Sequence, residues 1–205
     1  MLIKSNHFFN SMSKVQLAQD FARKKHKGQT RKNGKIQYFD HLEAVVSRLK
    51  SIGVTNEDIL CVGWLHDTIE DTNTTFDEIS EIFGKKVALL VLSLTRDESL
   101  PKKEKESNYV KLLHDAPFEA KLVKLCDVSA NLKDLDDSLS KTRRRKTVTS
   151  KLHYLLIIKN DLARHVSEYP KMISLIDGIN QIAREYRQRP IELTVKRSST
   201  THQTS

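Results

Sequence analysis

The chain has 205 residues, 38% of them apolar and 30% charged, with a formal net charge of +9 and a mean hydropathy of −0.49. That leaves room for one domain with a sizeable core. No apolar run approaches the ~20 residues needed to cross a bilayer, and the first residues lack the apolar stretch and small-residue cleavage site of a secretory signal. A cytoplasmic location is therefore expected. The two cysteines, Cys61 and Cys126, fit it, since both sit in apolar segments outside any CxxC pair and read as buried free thiols. The positive charge favours anionic partners such as nucleotide phosphates, nucleic acid or acidic surfaces.

Residues 1–12 read as a loosely packed lead-in. Ser13 with Gln16 caps a helix whose apolar positions Val15, Leu17, Ala18, Phe21 and Ala22 recur at helical spacing, and Gly28 stops it. Residues 28–40 form a basic loop with two glycines, and Asp40 with Glu43 opens a helix that ends near Gly53. Thr55 with Asp58 makes a capping box, so the next helix begins near Asn56. Its apolar residues Ile59, Leu60, Val62, Trp64 and Leu65 lead into His66-Asp67-Thr68-Ile69-Glu70-Asp71. Thr75 with Glu78 opens a short helix closed at Gly84, and the apolar run from Val87 to Leu94 suits a buried helix. Pro101 reads as a first helical residue. Pro117 starts another helix, with Leu122, Val123, Leu125, Val128, Leu132 and Leu135 on its apolar face. Residues 136–146 are polar, ending in a solvated loop, Arg143-Arg144-Arg145-Lys146. Two further helices follow, through Leu152–Leu162 and after Pro170, and 189–205 is a disordered tail. Glycine is scarce, no strand alternation is sustained and no repeat recurs. The expected architecture is all-α, one helical bundle of roughly eight to ten helices over residues 13–188.

The segment around His66 concentrates the chemistry. One histidine and three carboxylates fall within six residues at the end of an apolar helix. In a continuous helix His66 and Glu70 share a face, as do Asp67 and Asp71. A solvated helix end is the ordinary explanation for such residues. Burying unpaired carboxylates is costly, however, and a metal ion is the simplest partner that satisfies all of them. Further ligands have to come from elsewhere. His41 opens a helix after the basic loop, and Asp127 lies in mid-helix among apolar residues, with Asn131 one turn on. Each has an everyday alternative: a surface histidine at His41, and a pair with Lys124 or Lys133 for Asp127.

His41, then His66-Asp67, then Asp127 resembles the metal-binding order of the HD phosphohydrolase superfamily. The segments His26-Lys-Gly-Gln-Thr-Arg31-Lys32-Asn-Gly, Trp64-Leu-His66-Asp67-Thr-Ile-Glu70-Asp71-Thr and Lys124-Leu-Cys-Asp127-Val-Ser-Ala-Asn131-Leu are similar to the hydrolase domain of the RelA/SpoT alarmone enzymes. No length remains for their synthetase domain, so the resemblance is to the stand-alone small alarmone hydrolases of the Mesh type. It implies an HD-domain bundle that removes the 3′-pyrophosphate of (p)ppGpp, with Mn²⁺ as the usual ion and a nucleotide as the small-molecule partner. Carried over by position, His41, His66, Asp67 and Asp127 match the metal ligands. Glu70 and Asp71 match the acidic pair that activates water. Arg31 and Lys32 match basic nucleotide contacts, and Asn131 matches a polar residue near the sugar.

Two departures bear on substrate. Leu42 replaces the proline common after the first histidine ligand, and Val128 replaces a basic residue common after the last aspartate, with Lys102, Lys103 and Lys105 as candidates to compensate. The same centre could also act on an adenosine alarmone or on the phosphate of NADPH. A rival from another class is a nucleotide- or nucleic-acid-binding protein using Arg143–Lys146, but an RNA-binding run would carry interleaved aromatics, and here the aromatics are few and mostly lie on apolar faces.

Overall fold

A computed structural model describes residues 12–31, 34, 36–135 and 139–193. Ten helices occur among the described residues, with one isolated bridge between Thr30 and Gln37 and no strand. The chain is a single all-α domain, as the sequence predicts. The expected lead-in up to residue 11 and the end of the expected tail, 194–205, lie outside the described residues.

Helix α1 (Lys14–Lys25) starts where its cap predicts, because the Ser13 side chain accepts from the Gln16 N–H. Its Ala18 and Ala22 are buried, and this small-residue face packs against α3 (Glu57–Leu65). Between them, α2 (Tyr38–Ser51) begins two residues before the expected Asp40. The glycine loop itself delivers the chain into α2. Arg31 N–H donates to Ile36 O at 2.8 Å, Tyr38 N–H to Gln29 O at 3.0 Å, and Gly34 turns the chain at φ +68°. Asp40 is left in the first turn, where a carboxylate suits the helix dipole.

Helix α3 is the central element, with residues 59–65 all buried. Asn56 caps it in place of Thr55, since its carboxamide oxygen accepts from both Asp58 N–H and Ile59 N–H. The short α4 (Thr68–Asp71) follows, then α5 (Phe76–Phe83), capped by Thr75 as expected, and α6 (Lys85–Leu92), joined at Gly84 with φ +88°. Pro101 caps α7 (Lys102–Asp115) from outside the helix. Helix α8 (Phe118–Lys133) lies against α2, α3, α9 (Lys141–Arg164) and α10 (Met172–Glu185), and nearly all its residues are buried.

The basic run 143–146 is helical, which corrects the expected loop. Ser140 caps α9 by accepting from Arg143 N–H, and arginine and lysine are good helix formers once that start is fixed. Past residue 188 the chain stays attached to the domain: Ile191 is buried, and the Asn180 side chain donates to its carbonyl at 2.9 Å and accepts from its N–H at 2.7 Å.

Candidate metal centre

The helix carrying the histidine and carboxylates does not run through them. Helix α3 ends at Leu65, His66 caps it, and Asp67 (φ −103°, ψ −2°) opens α4. Local hydrogen bonds hold the break, with the Thr68 hydroxyl donating to Leu65 O at 2.7 Å and the Thr72 hydroxyl to Thr68 O at 2.6 Å. Asp67 and Asp71 still lie one turn apart, joined by the Asp71 N–H to Asp67 O bond of 2.8 Å. Glu70 points elsewhere.

Three expected ligands meet in the interior. His41 in the first turn of α2, His66 and Asp127 in mid-α8 are 1%, 3% and 4% exposed, and one ligand atom from each lies within 4.8 Å of the others. Asp67 joins them from the half-exposed side. Its Oδ2 is 3.2 Å from His66 Nε2 and 3.8 Å from His41 Nε2. Asp127 Oδ1 is 3.3 Å from His41 Nε2 and 3.9 Å from His66 Nε2.

The donor set fits a cation. His66 Nδ1 faces the Gly63 carbonyl at 3.0 Å, which assigns its proton there and turns Nε2 toward the carboxylates. Neither Nε2 has a hydrogen-bond partner despite full burial, and neither has His41 Nδ1. Orphaned buried nitrogens are costly unless a ligand completes them. Ligands ~2.2 Å from one ion at roughly tetrahedral or octahedral angles stand about as far apart as these donors do.

The electrostatics point the same way. Burial pushes the His66 pKa down, but the Asp67 and Asp127 charges outweigh it and hold it at about 9. At His41 burial wins, and its pKa is lowered. Burial would raise both aspartates, yet His66 keeps Asp67 below the usual carboxylate range and Lys124 does so for Asp127. Lys124, one of the partners expected from sequence, donates to Asp127 Oδ2 at 2.8 Å. The ordinary reading and the ligand reading of Asp127 therefore hold together, one oxygen serving each.

The acidic pair separates. Both oxygens of Glu70 are engaged by Arg96, by its backbone N–H at 2.9 Å and its guanidinium at 3.0 Å. Arg96 also donates to Tyr154, whose hydroxyl meets Glu106. Asp71 instead joins Asp67 through Tyr38, whose hydroxyl donates to Asp67 Oδ2 at 2.6 Å and also to Asp71. Burial, and then the Asp67 charge, keep that phenol strongly protonated. The Tyr38 ring stacks on His26 at 4.6 Å and takes the Arg31 guanidinium at 5.3 Å.

Arg31 Nη2 donates to Asn131 Oδ1 at 2.5 Å, and the Asn131 amide donates to the Asp127 carboxylate. Two expected substrate contacts are thus tied to the metal cluster. Lys32 lies outside the described residues. Sequence reasoning passed over Tyr38, read as loop, and Arg96, to which it gave no role. Nothing local marks either one.

The fold and this cluster define a class. Residues 18–155 match the HD domain family, so the chain belongs to it. It is similar to the guanosine-3′,5′-bis(diphosphate) 3′-pyrophosphohydrolase MESH1 of Danio rerio, 40% identical over 119 residues, covering 57% of this chain and 66% of the relative. The Homo sapiens MESH1 is 41% identical over 121 residues, covering 58% of this chain and 68% of the relative. A solved structure of a metazoan orthologue of SpoT that hydrolyses ppGpp superposes with a TM-score of 0.70 at 27% identity, covering 85% of this chain and 96% of that one.

Proposed function

We propose that this chain is a metal-dependent pyrophosphohydrolase that removes the 3′-pyrophosphate of (p)ppGpp, giving GDP or GTP and pyrophosphate. The observation that carries the reading is the buried group His41, His66 and Asp127, with Asp67 beside it and both Nε2 atoms unpartnered. The relatives that share this stretch are named for that reaction.

His41, His66, Asp67 and Asp127 would hold the ion. Imidazole and carboxylate donors without thiol suit Mn²⁺. When bound, the ion supplies Lewis acidity, offsetting charge on the phosphoryl group and making a nearby water more acidic. The chain's own residues do the rest. Asp71 accepts the proton of the attacking water, and Tyr38 holds that carboxylate beside Asp67. The water oxygen bonds to the phosphorus next to the ribose, the 3′-oxygen–phosphorus bond breaks, and the 3′-oxygen leaves as a hydroxyl after taking a proton. Glu70 is fixed by Arg96, which leaves the proton transfer to Asp71. Arg31, with Lys32, meets the nucleotide, and Asn131 meets its sugar. No helix among the described residues is long and apolar enough to cross a membrane, and the free buried thiols suit the cytoplasm.

The test is turnover of ppGpp by purified protein with Mn²⁺ and after chelation, with products separated by chromatography. GDP and pyrophosphate formed only with metal is the expected result. Intact ppGpp with the ion bound overturns the guanosine reading, and adenosine alarmones and NADPH run in parallel identify the substrate in that event.

A further inference from the structure

Helix α9 carries one charge where its pattern calls for an apolar residue. Its core-facing stripe is Val148, Leu155, Ile158 and Leu162, all fully buried, and Lys151 occupies the stripe position between Val148 and Leu155. One turn on, Tyr154 packs inward with its ring 5.2 Å from the Lys124 ammonium that pairs with Asp127, so this turn of α9 lies beside the metal centre.

Three cations gather on that side of the centre, and two are committed. Lys124 is paired with Asp127, and Arg96 with Glu70. Both rest against the rings of Tyr109 and Tyr154. Lys151 makes no hydrogen bond and no ion pair among the described residues. Asp127 already accepts from Lys124 on one oxygen and from Asn131 on the other. The ammonium lies in the field of Asp127 and Asp67 but also of Lys124 and Arg96. Burial first, then those two like charges, bring its pKa down to about 8 despite Asp127. A half-buried cation beside these carboxylates, with no partner among the described residues, suits an anion that arrives with the substrate.

We propose that Lys151 is a phosphate-binding residue of this site, holding the diphosphate group that is cleaved and released. The inference rests on the pyrophosphohydrolase reading. It also explains a departure in the sequence. Val128 stands where the resembled family has a basic residue, and it is fully buried. Of the lysines expected to compensate, Lys105 is paired with Glu98 at 2.6 Å, and Lys102 and Lys103 are exposed. The cation comes from α9 instead.

The experiment compares wild type with Lys151→Met, similar in length without charge, and Lys151→Arg, which keeps the charge. Binding of inorganic pyrophosphate to Mn²⁺-loaded protein is measured by calorimetry, alongside metal content, thermal midpoint, kcat and KM for ppGpp. Losing one charge-assisted contact is expected to weaken pyrophosphate binding about 10- to 100-fold in Lys151→Met and to raise KM for ppGpp, with most of the loss restored in Lys151→Arg. Metal content should stay at the wild-type level, and the ligand-free midpoint should rise, because an unpaired, half-buried charge has gone. A structural role would lower that midpoint. Unchanged pyrophosphate binding, or lost metal, overturns the inference. If wild type leaves ppGpp intact while Lys151→Met still loses pyrophosphate, the substrate reading fails and the phosphate contact stands.

Discussion

At Tyr38 a single hydroxyl proton is shared between two carboxylates, Asp67 and Asp71, and the ring is clamped between His26 and the Arg31 guanidinium. Asp67 has its histidine neighbours as well, but Asp71 has no other side-chain donor among the described residues. Tyr38→Phe keeps the ring stack and removes only that proton. The four metal ligands remain, so metal content should be unchanged, while kcat should fall by about 10- to 100-fold, the scale of one lost hydrogen bond to charged groups, with KM little altered. Wild-type kcat in this variant would show that Asp71 needs no such holder. The contrast with the ligands shows what the sequence could tell. Metal ligation restricts residue type, so His41, His66, Asp67 and Asp127 could be singled out as candidate ligands before any fold was known. Tyr38, Arg96 and Lys151 acquire their roles only from distant partners, and no spacing rule marks a phenol or a guanidinium for such work. Glu70 falls between these cases, legible as an acid but not as the partner of Arg96.

The crossing of α2 and α3 brings His41 and His66 together, and Gly63 permits it. A Cβ at Gly63 would lie 2.7 Å from Leu49 Cδ1 and 3.0 Å from Val46 Cγ2, both on α2, closer than packed atoms allow. Its carbonyl also accepts from His66, so the same residue sets the helix spacing and the ring's direction. Gly63→Ala has a helix-propensity gain of up to ~1 kcal/mol, against an overpacking cost of about 1–3 kcal/mol. The expected net is a loss of stability in urea unfolding, with metal affinity reduced as α2 is pushed from α3. Stability and affinity both at wild-type level would mean the two helices can separate freely. At this scale the helices whose caps are local side-chain bonds, at Ser13 and Thr75, began where the residues said they would. Helix α2 did not, because a backbone hairpin in the preceding loop sets its start, and the break after Leu65 did not, because threonine hydroxyls hold the chain there against an apolar helical pattern.

For the whole molecule, the donors come from α2, the end of α3 and α8, elements far apart in sequence that only the folded chain assembles. Without a cation the interior holds two carboxylates and two imidazoles, balanced by a proton on His66 and by Lys124. An ion that binds this arrangement and not the unfolded chain stabilises the fold by mass action. At 100 times its dissociation constant that amounts to ~2.7 kcal/mol, and for a chain of this size each kcal/mol moves the thermal midpoint by about 2–4 °C. Mn²⁺ at that excess is therefore expected to raise the midpoint of chelated protein by roughly 5–11 °C. Asp127→Asn, near-isosteric and able to keep the contact with Lys124, should lose most of that rise, because it replaces a charged ligand with a neutral amide. Asp58→Asn, which alters an ion pair with Lys14 on the far side of α3's first turn, should keep it. A midpoint indifferent to metal in wild type would place the ion outside this cluster. A rise of equal size in both variants would mean that Mn²⁺ binds without Asp127.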